Sequence, residues 1–150
     1  MSIKTHANTW SRRAALQVLY SAEITGRPLQ EILDEGPCVF EDDDASEPSQ
    51  LDSYALRLLQ GVLESCAELD AVIDPCSENW TVARMPIMDR SVIRLATYEM
   101  LHVEEVPISV SINEAVDLAK EFGGEDESHR FVNGVLGQIA KKLGVSEADA

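Results

Sequence analysis

Apolar residues recur at intervals of three and four positions along most of the chain, which is the period of an amphipathic α-helix. Between residues 10 and 24 neither glycine nor proline interrupts this pattern, and Gly26-Arg27-Pro28 ends it. The same spacing predicts helices over residues 28–35, 51–74, 86–102, 111–122 and 128–143. Only residues 106–111 alternate with the period of two that is typical of a strand, and they are too few to need a sheet. The pattern therefore predicts six or seven helices and no sheet.

Interruptions in this pattern indicate how the chain is organised. Residues 41–50 are rich in acids, serine and proline, which indicates a loop between two halves. The apolar stripe of residues 51–74 drifts around the helix, which predicts a break near Ala67. We interpret the chain as one domain over residues 1–150, with an N-terminal half over about residues 8–50, a C-terminal half over about residues 51–144 and a tail over residues 145–150. An α-bundle or two small packed bundles would bury these stripes.

Length and composition exclude several classes of protein. The 150 residues are 45% hydrophobic and 26% charged, which is ordinary for a globular chain and argues against global disorder. No apolar run approaches the roughly 20 residues that a membrane span needs, and residues 1–13 lack the apolar core of a signal peptide. We therefore expect a cytoplasmic protein with no membrane segment. The 3 cysteines form neither a CxxC pair nor an even disulfide set.

Catalytic motifs find no support in this sequence. Ser128 and His129 stand beside three acids, but adjacent residues on a helix point in different directions and cannot form a nucleophile–base hydrogen bond. Ser128 is better explained as part of a helix N-terminus. The 3 histidines lie far apart without metal-ligand spacing, and no glycine-rich phosphate-binding motif is present. We expect no enzyme, no cofactor and no metal site.

Charge is distributed unevenly along the chain. The formal net charge of -15, from 12 basic and 27 acidic residues, argues against a protein that coats duplex nucleic acid. Residues 31–52 contain no lysine or arginine, and their acids account for much of the imbalance. In contrast, the first 30 residues hold Lys4, Arg12, Arg13 and Arg27 against Glu23 alone. The N-terminus is thus a basic segment on an acidic protein.

The basic segment contains the residue types that bind single-stranded RNA. Such sites combine cations that face phosphates, aromatic rings on which bases stack and amides that read base edges. The candidates are Lys4, Arg12, Arg13, Gln17 and Tyr20. By spacing alone, Tyr20 fits a core or half-buried position better than an RNA-facing one, and the two arginines fit a solvated helix start equally well. Arginines in a first turn oppose the helix dipole, however, and this favours a functional explanation.

A second basic and aromatic pair, Arg130-Phe131, opens the last predicted helix. Taken alone, Phe131 fits a core anchor at least as well as a platform for a base. Gly134 and Gly137 lie inside the same helix, where each costs about 1 kcal/mol relative to alanine. This cost predicts the close approach of another helix.

Three parts of the sequence together resemble the NusB family of transcription antitermination factors. They are residues 12–20 (RRAALQVLY), residues 88–99 (MDRSVIRLATYE), and residues 112–120 (INEAVDLAK) followed by residues 131–136 (FVNGVL). The likeness extends in order from about Trp10 to Leu143. It implies an all-α, NusB-like helical bundle of about seven helices in two packed three-helix-like halves.

The resemblance also implies a function and a set of site residues. NusB proteins bind boxA-type single-stranded RNA in ribosomal RNA leaders together with the ribosomal protein NusE, and join the RNA polymerase antitermination complex. Position by position, the likeness assigns RNA-facing roles to Lys4, Arg12, Arg13, Gln17, Tyr20, Arg94, Arg130 and Phe131. It assigns partner-binding roles to Asp89, Arg90 and Glu99.

Two departures from the family pattern bear on this interpretation. Residues 8–11 are Asn-Thr-Trp-Ser, whereas many relatives carry a denser arginine run, and this predicts weak RNA binding without the partner. The acidic loop at residues 41–47 fits a solvated connector or a segment that screens the basic N-terminus. The alternative function is a purely protein-binding helical module, or a homodimer that hides the RNA site.

Overall fold

A computed structural model describes residues 8–40, 44–78, 80–123 and 127–144. Within these ranges the chain forms six α-helices, two 3₁₀ turns and one pair of two-residue strands, which confirms the all-α class. The predicted count of about seven helices is one too high. The elements are α1 Thr9–Thr25, α2 Leu29–Asp34, β1 Cys38–Val39, β2 Ser49–Gln50, α3 Ser53–Ile73, the turns Asp74–Cys76 and Val82–Arg84, α4 Ile87–His102, α5 Ile108–Phe122 and α6 Ser128–Lys142.

The chain divides into two compact units, Met1–Glu64 and Ser65–Ala150. The division therefore falls inside α3 rather than in the acidic loop near residue 50. Helix α3 is continuous through Ala67, so the predicted break there is wrong. Its two parts belong to different units. The buried residues of α3 nevertheless follow helical spacing along one face from end to end, so the drift of the apolar stripe did not mark a break; they are Ala55, Leu58, Leu59, Val62, Leu69 and Ile73.

Side-chain contacts join the start of α3 to α1 within the first unit. Asp52 caps α3 by accepting a hydrogen bond from the Ala55 backbone N–H at 2.8 Å. The Ser11 hydroxyl donates to the other Asp52 oxygen at 2.5 Å. These bonds explain why residues 52–64 belong with α1. The unit's buried core includes Ala15, Leu16, Val18, Ala55, Leu58 and Leu59.

The strands β1 and β2 pair antiparallel, with Cys38 opposite Gln50 and Val39 opposite Ser49. The sequence did not predict this pairing, because two residues are too few to show an alternating pattern. Its effect is local: it closes the ends of the loop that contains residues 41–47. Residues 41–43 of that loop lie outside the described ranges, so the predicted role of the acidic loop stays a prediction.

The second unit is built on the mutual packing of α4, α5 and α6. Helix α5 begins at Ile108, directly after Pro107, so the predicted helix start at residue 111 is three residues late. Residues 108–111 are helical because Pro107 fixes a backbone angle that suits a helix start, which outweighs the short period-two pattern. None of the described helices is long and apolar enough to cross a membrane.

In the second unit, close packing requires a glycine at position 123, whereas the sequence predicted this role for Gly134 and Gly137. A Cβ added at Gly123 would overlap the carbonyl oxygen of Ala119 and lie 2.7 Å from the Ser128 Cβ. Gly123 thus permits the close approach of Ser128, at the start of α6, to the end of α5. A Cβ at Gly134 or Gly137 would meet no atom within 4 Å, so the prediction that these two allow a close helix approach is wrong.

Candidate functional site

Helix α1 presents a row of partly exposed side chains, which we call the outward stripe. It consists of Trp10, Arg13, Gln17, Tyr20 and Ile24. Spacings of three and four residues place these positions on one side of the helix. Three predicted RNA-binding residues, Arg13, Gln17 and Tyr20, therefore share a surface. Tyr20 is 37% exposed, so it is not a core residue.

Arg12 lies on the opposite, buried side of α1, where only 4% of its surface is exposed. Its guanidinium carbon lies 5.9 Å from the centroid of the Tyr54 ring, within range of a cation–π interaction. Consecutive residues on a helix differ by about 100° in direction, so Arg12 and Arg13 cannot both face outward. The predicted phosphate contact by Arg12 is not supported, because its side chain is part of the interior.

The remaining cations of the basic segment contribute less surface charge than the sequence suggested. Arg27 bridges two acids of its neighbourhood, with its Nη2 2.8 Å from Glu31 Oε1 and 2.6 Å from Glu35 Oε1. These hydrogen bonds, to Glu35 first and then Glu31, raise the pKa of Arg27 further above its ordinary value. Lys4 lies outside the described residues. Arg13 is the cation of this segment that lies on the outward stripe.

In the second unit, seven of the residues that the structure describes line a cavity of about 470 Å³. We call it the α4–α6 cavity, because the first turns of these helices form much of it. The apolar part of its lining consists of Trp80, Pro86, Met88 and Phe131. The polar part consists of Asp89, Glu127 and Ser128. The structure thus brings together Asp89, predicted to bind the partner, and Phe131, predicted to bind RNA.

Sequence reasoning did not identify Trp80, Met88 or Glu127 as site residues. Trp80 lies in the connection before the Val82–Arg84 turn, and its ring is partly exposed. One signal in the sequence could have indicated Trp80. A tryptophan in a connecting turn cannot belong to the buried apolar face of a helix. Its contribution to the cavity depends on the path of the connection, which a periodic pattern does not predict.

Arg90 holds that connection to α4. Its Nη1 donates to the backbone carbonyls of Ala83 at 3.2 Å and Met85 at 3.4 Å. From the other side, an Asp74 carboxylate oxygen accepts a hydrogen bond from the Val82 N–H at 2.9 Å. Arg90 therefore makes backbone contacts within its own unit, and its predicted direct contact with a partner is not supported.

Replacing Arg90 by glutamine is expected to loosen the segment that carries Trp80. Losing the two charge-assisted hydrogen bonds should lower the free energy of unfolding by about 1–2 kcal/mol and make the Trp80 ring more accessible. Acrylamide quenching of tryptophan fluorescence measures this accessibility. Arg84→Gln removes an exposed charge from the same connection and serves as the control. Equal quenching in both variants would contradict this role of Arg90.

Three further predicted site residues make contacts within the second unit. Arg94 forms a forked ion pair with Asp70, its Nε and Nη2 each 2.9 Å from a carboxylate oxygen. Glu99 is only 2% exposed and accepts a hydrogen bond from the Ser111 hydroxyl at 2.6 Å. Direct RNA contact by Arg94 and direct partner contact by Glu99 are not supported, because their polar atoms already join helices of the fold. Asp89 is 5% exposed and lines the α4–α6 cavity.

Arg130, in contrast, projects from the first turn of α6 with 75% of its side chain exposed. Its Nη1 lies 3.8 Å from Glu127 Oε2, in an ion pair that solvent screens strongly. Arg130 is thus available to exchange this partner for a phosphate. Within the described ranges, no group of three histidine, cysteine or acidic side chains could hold a metal ion.

Among the described residues, an all-helical fold presents a partly exposed aromatic and basic stripe and a cavity with acidic and aromatic lining, which are features of a binding protein. Residues 9–141 match the NusB family, and relatives of over 30% identity cover most of the chain. The chain therefore belongs to the NusB family of transcription antitermination proteins.

Individual relatives show the extent of this likeness. The transcription antitermination protein NusB of Rubrobacter xylanophilus is 43% identical over 133 residues, which cover 89% of each chain. That of Geobacter sulfurreducens is 41% identical over 143 residues, covering 91% of this chain and 96% of the relative. The solved structure of T. maritima NusB superposes with a TM-score of 0.73 and 34% identity, over 90% and 91% of the two chains.

A second solved structure contains the antitermination factors NusB and NusE in complex with double-stranded RNA. It covers 90% of this chain and 96% of the matched chain, with a TM-score of 0.68. The identity is 23%, so this likeness concerns the fold alone.

Proposed function

We propose that this protein acts in transcription antitermination by binding boxA-type single-stranded RNA of ribosomal RNA leaders together with the ribosomal protein NusE. The pair then joins the RNA polymerase antitermination complex. The observation that carries the RNA part is the outward stripe, where Arg13, Gln17 and Tyr20 share one partly exposed face. The relative that was solved with NusE and double-stranded RNA supports RNA and NusE as classes of ligand, and the choice of a single strand rests on the outward stripe.

Each residue of the stripe has a role that suits single-stranded RNA. The Arg13 guanidinium pairs with a backbone phosphate, the Tyr20 ring stacks on a base, and the Gln17 amide hydrogen-bonds a base edge. Along a helix, positions 13, 17 and 20 are separated by about 6 Å and 4.5 Å of axial rise, comparable with the spacing of neighbouring nucleotides. A short single strand therefore fits along α1.

The second unit contributes through the start of α6. Arg130 is exposed and pairs with a further phosphate, and Phe131 is the residue that the family likeness assigns to RNA. Asp89 is the residue that the likeness assigns to the protein partner. Phe131 and Asp89 line the same cavity.

The acidic character of the chain gives the partner protein a clear role. With a net charge of -15, the protein repels RNA at a distance, and few cations lie on the outward stripe. A basic partner bound beside the RNA would supply the missing positive charge. We therefore expect weak RNA binding by the isolated chain and stronger binding by its complex with NusE.

Fluorescence anisotropy of a labelled boxA-type RNA, titrated with the chain alone and with NusE, tests this function. Single-stranded and duplex forms of the same sequence should be compared, and the single strand is expected to bind more tightly. No change of anisotropy in either titration would contradict the proposed function.

Replacing Tyr20 by alanine should weaken RNA binding about tenfold, because one base loses a stacking surface worth about 1–3 kcal/mol. Tyr20→Phe should retain most of the affinity, since the phenyl ring also stacks. Because the side chain is partly exposed, both variants should keep nearly the wild-type stability, and thermal unfolding checks this. Equal RNA affinity of the alanine variant and the wild type would exclude stacking on Tyr20.

A purely protein-binding module is the second candidate, and the apolar end of the outward stripe favours it. Ile24 is 56% exposed beside Tyr20, which suits contact with a protein surface. If this face pairs two copies of the chain, it hides the RNA site. Light scattering with and without RNA separates the candidates: a stable dimer that ignores RNA supports the second.

A further inference from the structure

We propose that Trp10 is a second base-stacking residue of the RNA surface on α1, in addition to Tyr20. This inference rests on the proposed function and extends it to the N-terminal end of the outward stripe. A single strand of RNA would lie along α1 with one base on each ring, and Arg13 and Gln17 would contact the RNA between them.

Trp10 is an aromatic residue that the buried side of α1 does not require. It lies in the first turn of the helix, where it is only partly buried. Other residues already form the buried side, among them Leu16, Val18 and Leu19, each no more than 8% exposed. Tryptophan is highly buried on average, so an indole that stays partly open to solvent beside polar residues indicates a surface that contacts a ligand.

The charges around Trp10 suit a polyanion, although the chain as a whole is acidic. Helix α1 contains one acid, Glu23, which lies about 20 Å from Trp10 along the helix axis. This distance is well beyond the screening length of about 8 Å at physiological salt. A second acid, Asp52, contacts the first turn through Ser11, but Ser11 is 1% exposed and faces the interior. An RNA strand that meets Trp10 therefore avoids both carboxylates.

The outward stripe offers more surface for stacking than charge for pairing with phosphates. Arg13 is the cation among its five residues, so neutralisation of phosphates supplies only a small part of the affinity. Every base has a face that stacks on an aromatic ring, and this contact does not depend on a positive potential. A chain with a net charge of -15 therefore gains more from a second ring than a basic protein would.

The two rings are too far apart to stack on the same base. Ten positions separate Trp10 from Tyr20, which corresponds to about 15 Å of axial rise. Side chains on a helix lean toward its N-terminus, so both rings lean in the same direction and their separation is retained. Trp10 and Tyr20 therefore bind two different nucleotides of one strand.

The first experiment measures the affinity for labelled boxA-type RNA by anisotropy, for the chain alone at low salt and for its complex with NusE. Trp10→Leu keeps an apolar side chain but no ring, and should weaken binding about tenfold through the loss of one stacked base. Trp10→Phe keeps a ring and should retain most of the affinity. As the control, Phe40→Ala removes an aromatic residue that is 52% exposed outside α1, and should stay within about twofold of wild type. Thermal unfolding verifies that the variants are folded.

The second experiment identifies the base that each ring contacts. Each nucleotide of the RNA is replaced in turn by an abasic one, and each strand is titrated with the wild type, Trp10→Leu and Tyr20→Ala. One abasic position should abolish the difference between the wild type and Trp10→Leu. A different position should do so for Tyr20→Ala, because the two contacts are distant and independent. Trp10→Leu should also keep the wild-type slope of log K against log salt, since it removes no cation.

Four results would overturn the proposal. These are equal RNA affinity of Trp10→Leu and wild type, a loss that no abasic position abolishes, a reduced salt slope in Trp10→Leu, or a change in its mass by light scattering without RNA. The third would make Trp10 a positioning residue for Arg13, and the fourth would assign it to contact between copies of the chain. RNA binding that ignores Trp10 would leave the proposed function intact, whereas absence of RNA binding by the wild type would overturn both.

Discussion

Replacing Glu99 by alanine is expected to lower the free energy of unfolding by about 3 kcal/mol, because it removes a buried carboxylate from the contact between α4 and α5. The variant leaves the buried Ser111 hydroxyl without this acceptor. Urea unfolding followed by far-UV circular dichroism measures the loss. Glu104→Ala removes an exposed acid just beyond the same helix and should change stability by less than about 0.5 kcal/mol.

Two further variants separate the structural role of Glu99 from direct partner binding. Glu99→Gln keeps a hydrogen-bond acceptor and should lose only about 1 kcal/mol. In a double-mutant cycle, Glu99→Ala and Ser111→Ala should show a coupling energy of about 1–2 kcal/mol. If Glu99→Ala instead retained wild-type stability but lost affinity for NusE, the residue would be a partner contact despite its burial.

Replacing Arg12 by alanine is expected to cost about 2 kcal/mol of stability, whereas replacing Arg13 by alanine should act on RNA binding. Arg12→Ala removes the cation–π contact with Tyr54 and the buried packing of the arginine stem. Arg13 lies on the outward stripe, and its removal should weaken RNA binding severalfold at low salt. Urea unfolding and RNA anisotropy, measured on both variants, separate the two effects.

The salt dependence of RNA affinity gives the sharpest comparison of the two arginines. Removing one cation that neutralises a phosphate should reduce the slope of log K against log salt by about 0.7 for a single strand. Arg13→Ala is expected to show this reduction, while folded Arg12→Ala should keep the wild-type slope. A reduced slope in Arg12→Ala would show that this guanidinium reaches a phosphate after all.

The helices were largely predictable because their patterns are local. Helix α1 was predicted over residues 10–24 and is observed over Thr9–Thr25, since its apolar spacing and the following glycine and proline are all visible in the sequence. The continuity of α3 was obscured by apolar residues that are not buried, such as Leu56 and Leu63, because they made the apolar stripe appear to drift while the buried positions keep one helical face. The strand pair was too short to produce a pattern.

The sequence predicted the types of residue in the candidate site better than it predicted which of them are exposed. Arg13, Gln17 and Tyr20 share a face because helical spacing puts them there, and that spacing is a property of the sequence. The interior position of Arg12 depends on Tyr54, which lies 42 positions further along the chain. Trp80 and Phe131 likewise meet at one cavity through the path of a connection that no periodic pattern describes.

Short-range spacing and ordered motifs were enough to predict the helical class, the family and the residue types of the proposed RNA surface, because these properties are local to the sequence. Which polar residues serve the fold became clear only when the helices were packed together. Arg12, Arg94 and Glu99 look like surface ligands in the sequence, yet partners distant along the chain hold them within the fold. Whether a charged side chain is buried or exposed depends on the residues that pack against it, and those residues come from other elements of the chain.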